Sequence, residues 1–310
     1  MAPREPVPEP VRFPDYDFTG HRLEVRPGIR LHYLDEGPRD GEVVVALHGN
    51  PSWSYYWRHL VLGLRDRYRV IVPDHVGMGL SDKPDDDENA LPRYDYTLQS
   101  RVDDLSTLLD HLGITGPMTL AVHDWGGMIG FGWALSHQAQ VRRLVVLNTA
   151  AFPMPAAKPM PWQIALGRDY NIGEIVIRGF NAFSGGASRF GVERKMPREV
   201  RRAYVAPYDS WKNRISTVRF MQDIPLSLMD RAWPLLEESG KRLHEYAGLP
   251  AFIGWGLKDF VFDHHFLERF RAELPGAEVM AFDDAGHYVL EDKHEVLVPA
   301  IRAFLDRNPL

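Results

Sequence analysis

Asp124 lies in AVHDWGGMIGFG (121–132), where an apolar run turns into a glycine-rich, helix-like stretch. Val122 two residues before it and Gly126 two after suit a sharp strand-to-helix bend with the acid at its apex. An aspartate there either caps the next helix or attacks a substrate. As an attacker it is already ionised near neutral pH and needs no base, which suits displacement at an alkyl carbon or opening of a strained ring. Asp259 follows the run AFIGWGLK, and His287 lies in the loop after EVMAFDD. Three strand ends thus supply a nucleophile, an acid and a histidine in that order. Asp259 orients the ring and stabilises its imidazolium, and in a hydrolytic cycle His287 directs water onto the aspartyl carbonyl. A fourth run, EVVVAL, ends in His48-Gly49-Asn50-Pro51. The backbone N–H of this loop and that of Trp125 read as an oxyanion hole, and the Asn50 and Trp125 side chains as donors to a leaving group.

These residues need a scaffold that brings strand ends together. Unbroken apolar runs at 42–50, 68–79, 118–127, 141–150, 250–259 and 277–287 alternate with helix-like segments at 54–64, 100–113, 128–138, 264–274 and 293–308. That pattern predicts a mostly parallel sheet covered on both faces, with an antiparallel edge hairpin over 22–37. The order of the three catalytic residues is that of the α/β-hydrolase fold. From 153 to 245 proline is frequent, tryptophan and methionine are scattered, and no strand-like run appears. We read this segment as a helical cap inserted after the strand ending near Asn148, with 1–152 and 246–310 forming the α/β core.

Composition excludes several chemistries. There are no cysteines, so disulfides and thiolate sites are ruled out. A net charge of −6 gives no basic footprint for nucleic acid. The opening MAPREPVPEPVRFPDYDF has no apolar run and is expected to lie as an irregular arm over the domain, in a soluble cytoplasmic protein without a membrane span. Gly77-Met78-Gly79 lacks the third glycine of a nucleotide fingerprint. His264-His265 reads as helix surface, the acidic run 85–88 as a solvated loop, and no cofactor or metal is expected.

LHGNPSWSYYWR, VHDWGG and DAGHYVLED resemble the haloalkane dehalogenases. The likeness implies Asp124 as nucleophile, His287 as base, Asn50 and Trp125 as halide-holding donors, and Asp259 as the acid. Epoxide hydrolases share HDWG, but they usually carry a bulky apolar residue where Asn50 stands and use two cap tyrosines. Tyr170, Tyr204 and Tyr208 are the candidates for that role and read better as structural. Longer stretches, including VPDHVGMGLSDKPDD and AVHDWGGMIGFGWALSHQAQVRRLVVLNTAAFPMP, resemble most closely the β-lactone decarboxylases of bacterial long-chain olefin biosynthesis. That resemblance implies opening of a cis-3,4-dialkyl β-lactone by Asp124, at the alkyl carbon or at the carbonyl, and release of carbon dioxide and a cis-alkene. Haloalkane hydrolysis is the alternative. It also implies a thiolase, a reductase and a β-lactone synthetase as upstream partners. Cap residues Met154, Met160, Trp162, Phe180, Phe183, Trp211, Phe220 and Met221 are offered for the alkyl chains, with Trp162, Phe180, Phe183 and Met221 foremost.

Overall fold

The computed structural model describes residues 13–310. Eight strands form one sheet: β1 (Gly20–Arg26), β2 (Ile29–Glu36), β3 (Val43–Leu47), β4 (Arg69–Pro73), β5 (Met118–Asp124), β6 (Val141–Thr149), β7 (Ala251–Gly256) and β8 (Glu278–Phe282). Their order is β1-β2-β4-β3-β5-β6-β7-β8. β1, β2 and β4 pair antiparallel, and every pairing from β4 to β8 is parallel. The central strands carry Val, Leu, Ile and Ala continuously because both faces are covered. The edge strand β1 alternates between exposed and half-buried positions, as a one-sided strand should. Helices Leu98–His111, Trp125–His137 and His264–Glu273 pack on one face, and Arg58–Leu64 and Val289–Arg307 on the other.

The chain leaves β3 for β4 on one side and returns to β5 on the other, so the loops after β3 and β5 diverge from a crevice at the strand ends. Open parallel sheets bind ligands at such a reversal. Between β6 and β7, residues 150–250 hold helices and turns and no strand. Buried polar contacts tie this segment down. Tyr204 donates to Glu291 at 2.6 Å, and Glu291 also receives the Arg58 guanidinium. Asp223 accepts from the Leu98 N–H at 2.6 Å and from Arg101 at 3.2 Å. Most of the expected N-terminal arm falls on residues 1–12, outside the described ones. Phe13 meets Trp53 edge-on at 5.2 Å, and Tyr16 lies 5.7 Å from Tyr55.

The glycines at 77 and 79 have a structural purpose. Both take positive φ, and a Cβ on Gly79 would lie 2.3 Å from the carboxyl carbon of Asp74. The loop therefore closes around this buried acid, which accepts from the Ser54 and Leu80 N–H groups at 2.6 and 2.8 Å and from His32 at 2.9 Å. Burial pushes the Asp74 carboxyl up, but His32, His48 and the Leu80 N–H together hold it down at about 2. A depressed folded value stabilises the protein above the ordinary carboxylate range, and that stabilisation is lost as pH falls toward 2. Asp74→Asn should cost roughly 3 kcal/mol of unfolding free energy at neutral pH. It should also remove part of the steep loss between about pH 4 and 2. Urea titrations across that range test both, and unchanged stability at neutral pH would contradict the assignment.

Candidate active site

β5 ends at Asp124, whose φ of 53° and ψ of −125° are rarely adopted by a residue with a Cβ. Close packing holds the strain in place. A Cβ on Gly126 would lie 2.0 Å from the Leu47 carbonyl oxygen, and one on Gly127 would lie 2.1 Å from Oγ1 of Thr149. Thr149 in turn donates to the Asp124 carbonyl. The Asp124 side chain makes no cap bond to the helix it precedes. It faces the cavity above the strand ends instead.

Register then sets its neighbours. Leu47 of β3 stands beside Val122 of β5, so the chain leaving β3 passes the acid two residues later. A Cβ on Gly49 would collide with Asp124 Oδ1 at 1.8 Å; only glycine allows that approach. The Asn50 N–H donates to the same oxygen at 2.5 Å. One of the two donors read from the sequence as an oxyanion hole is therefore taken up by Asp124 itself. Burial pushes its carboxyl above the usual value, opposed by His287 and by the Trp125 and Asn50 N–H groups.

His287 has Nδ1 2.8 Å from Asp259 Oδ2 and Nε2 3.6 Å from Asp124 Oδ2. Burial alone would lower its pKa, but the flanking Asp259 and Asp124 carboxylates outweigh that and raise it. Asp259 is buried and held by the Asn148 amide at 3.0 Å and the Val261 N–H at 2.7 Å. Asn148 also brackets Gly256, accepting its N–H at 2.8 Å and donating to its carbonyl at 3.0 Å. The residue at the end of β6 thus supports the acid at the end of β7.

The Asn50 side chain donates to the Thr217 carbonyl at 2.9 Å, leaving one amide hydrogen for the cavity, while its Oδ1 is buried without a partner. This bond reaches into helix Ile215–Gln222, so Asn50 links the site to the segment above it. The Trp125 ring lines the cavity and meets Phe220 edge-on at 5.0 Å. Sequence reasoning missed His123, although it adjoins Asp124. It stacks on Tyr56 at 4.1 Å, and its Nε2 donates to the His287 backbone carbonyl at 2.9 Å. Burial holds His123 well below the usual histidine value, so it is a neutral brace for the loop.

The cavity encloses about 600 Å³. Asn50, Asp124, Trp125 and His287 form its polar end, and the remaining wall is almost entirely apolar. Trp162, Phe183 and Met221 line it as expected, as do Met154 and Met160. Phe180 does not: it points to solvent with 79% exposure, because the left-handed turn at Asn181 separates it from the cavity-facing side of the next helix. Trp211 and Phe220 are also outside the lining. Phe220 is buried beneath Trp125 with the Arg101 guanidinium 3.6 Å over its ring. None of the three tyrosines considered for epoxide opening reaches the lining. Tyr170 is exposed, Tyr204 is bonded to Glu291, and Tyr208 donates to the Ser52 carbonyl at 3.2 Å. Asp263, His264 and His265 bring ligand atoms within 4.8 Å of one another. Asp263, however, caps helix His264–Glu273 and pairs with Lys158 at 2.9 Å.

Known proteins share this sequence and fold. Residues 42–185 match the alpha/beta hydrolase fold family. A cis-3-alkyl-4-alkyloxetan-2-one decarboxylase of Xanthomonas campestris is 75% identical over 96% of this chain and 99% of its own. One from Shewanella oneidensis is 51% identical over 93% and 88%. The chain belongs to the cis-3-alkyl-4-alkyloxetan-2-one decarboxylase family. The haloalkane dehalogenases are more distant: a crystal structure of one from Bradyrhizobium elkani superposes with a TM-score of 0.83 at 26% identity, covering 94% of this chain and 98% of that one. Among the described residues no helix is long and apolar enough to cross a membrane.

Asp259 is the largest of the influences raising the His287 pKa. Asp259→Asn should therefore move the imidazole titration to lower pH, followed by NMR of the histidine ring. An unmoved titration would show that the pair is not coupled as its 2.8 Å contact implies.

Proposed function

We propose that this enzyme splits cis-3,4-dialkyl β-lactones into a cis-alkene and carbon dioxide, with Asp124 as nucleophile. The observation that carries the reading is the capture of Asp124 Oδ1 by the Asn50 backbone N–H. In acyl transfer that donor must be free to receive the substrate's developing oxyanion. Here it is engaged, which favours attack by Oδ2 at a saturated carbon over attack at the lactone carbonyl. The 75% identical relative named for this reaction supports the substrate class.

The step balances without water. Asp124 Oδ2 bonds to the ring carbon that carries the ring oxygen, and that carbon–oxygen bond breaks. The ring carboxyl becomes a carboxylate, received by the free amide hydrogen of Asn50 and the indole N–H of Trp125. The bond between this carboxylate and the neighbouring ring carbon then breaks, its electron pair forms the alkene, and the pair of the ester C–O bond returns to Asp124. Attack inverts the first carbon, and departure of carbon dioxide and Asp124 from opposite faces keeps the alkene cis. A carboxylate against apolar walls is poorly solvated, which favours its loss as neutral carbon dioxide. His287, held as an imidazolium between two carboxylates, stabilises the departing Asp124.

Asn50, Trp125, Asp259 and His287 have these roles as part of the same proposal, with Trp162, Phe183 and Met221 contacting alkyl chains. We assign 153–245 as the cap over a core of 1–152 and 246–310. A cytoplasmic location and supply of the lactone by upstream thiolase, reductase and β-lactone synthetase enzymes complete the reading.

Incubation with a cis-dialkyl β-lactone should give alkene and carbon dioxide by gas chromatography, and Asp124→Asn should lose at least roughly 10³-fold in rate. Faster bromide release from a long-chain bromoalkane than alkene formation would instead favour haloalkane hydrolysis. The rate should follow a bell in pH. Its acid limb is set by Asp124, raised by burial, and its alkaline limb by His287, raised by its two carboxylates, the limits belonging to the coupled pair. A hydrolytic base at His287 would give the opposite alkaline trend: loss at low pH and a plateau at high pH.

A further inference from the structure

Charge is divided unevenly along the chain. Residues 153–245 carry fifteen Lys and Arg against ten Asp and Glu, whereas the whole chain carries 36 against 42. The segment over the cavity is thus basic on an acidic body. Its densest stretch is RFGVERKMPREVRR (189–202), with six cations and two acids. Arg189, Lys195, Arg198 and Arg202 are exposed, and none of them forms an ion pair among the described residues. This stretch is anchored to the catalytic loop, since the Tyr288 N–H donates to the Gly191 carbonyl at 2.7 Å.

Exposed apolar side chains also stand at the cavity, one of them, Phe190, within this stretch. Trp162 and Phe190 both line the cavity, yet are 71% and 77% exposed, so they stand at its mouth. Ile172 and Ile175 are also exposed on the adjacent helical turns. Contiguous exposed apolar patches rimmed by polar residues mark surfaces that meet a protein, a membrane or a ligand. Aromatic rings beside unpaired cations are the combination that seats a protein at the interface of a negatively charged bilayer.

The geometry points to docking of the cap on an anionic phospholipid surface, with the cavity mouth against the membrane. Trp162 and Phe190 enter the interface, and Arg189, Lys195, Arg198 and Arg202 face the headgroups. For its purpose this rests on the proposed reaction: a dialkyl lactone and its alkene both partition into lipid, and a docked mouth passes them without crossing water. The surface itself is independent of that chemistry.

Flotation of the full-length protein with vesicles separates the two questions, since no lactone is present. Retention should be strong on vesicles containing phosphatidylglycerol, weak on pure phosphatidylcholine, and reduced by salt. Lys195→Glu combined with Arg198→Glu should weaken binding to the anionic vesicles roughly 30-fold or more. Turnover of a short, water-soluble lactone should stay unchanged in that variant, while turnover of a vesicle-borne long-chain lactone falls. Equal retention on both vesicle types, no retention, or indifference to the charge reversals would overturn the docking surface. So would self-association in the absence of lipid that buries Trp162 and Phe190. Anionic vesicle binding without turnover of any lactone would leave the surface standing and refute the proposed reaction.

Discussion

The backbone N–H of Asn50 donates to one oxygen of the Asp124 carboxylate, and much of the site geometry follows from that bond. It requires β3 beside β5 in parallel register, a glycine at 49, and a sharp bend at 124. The second oxygen faces His287 at 3.6 Å. A serine at the same bend would leave the Asn50 N–H open to a substrate carbonyl. With aspartate that N–H orients the proposed nucleophile, and the proposed holding of a leaving group falls largely to side chains.

The electrostatics follow the same division. An apolar cavity makes charge expensive, yet Asp124 and His287 line it, with Asp259 buried against the imidazole. Each is offset by a specific partner: the Asn50 N–H for Asp124, the Asn148 amide and Val261 N–H for Asp259, and two carboxylates for His287. Burial works against both Asp124 and His287 in their charged forms, and the contact between them works for it. That balance suits a cycle in which the acid leaves as an anion and a cation must be present to receive it.

Strand ends and the order of Asp124, Asp259 and His287 were legible because a parallel sheet buried on both faces writes itself as unbroken apolar runs. Residues that follow such runs stand at one edge of the sheet. What could not be read was anything set by contacts distant in sequence. The amide of Asn50 reaches Thr217, and His123 braces the His287 carbonyl across 164 positions. Neither pairing leaves a trace in spacing. The glycines at 77 and 79 carried a visible signal whose purpose, closure around Asp74, emerges only in three dimensions. Between β6 and β7, aromatic and methionine content announced an apolar lining without saying which rings face inward. Phe180 and Phe183 are three residues apart, yet only the second reaches the cavity.

The bond made by Asp124 can be observed directly. His287→Gln should slow collapse of the covalent adduct, so acid quenching during turnover should leave the Asp124 peptide heavier by one intact lactone. Mild base would then free a 3-hydroxy acid from that peptide. Attack at the saturated carbon predicts inverted configuration at its hydroxyl carbon relative to the lactone. Retained configuration, or an Asp124 peptide that never gains mass, would contradict the account.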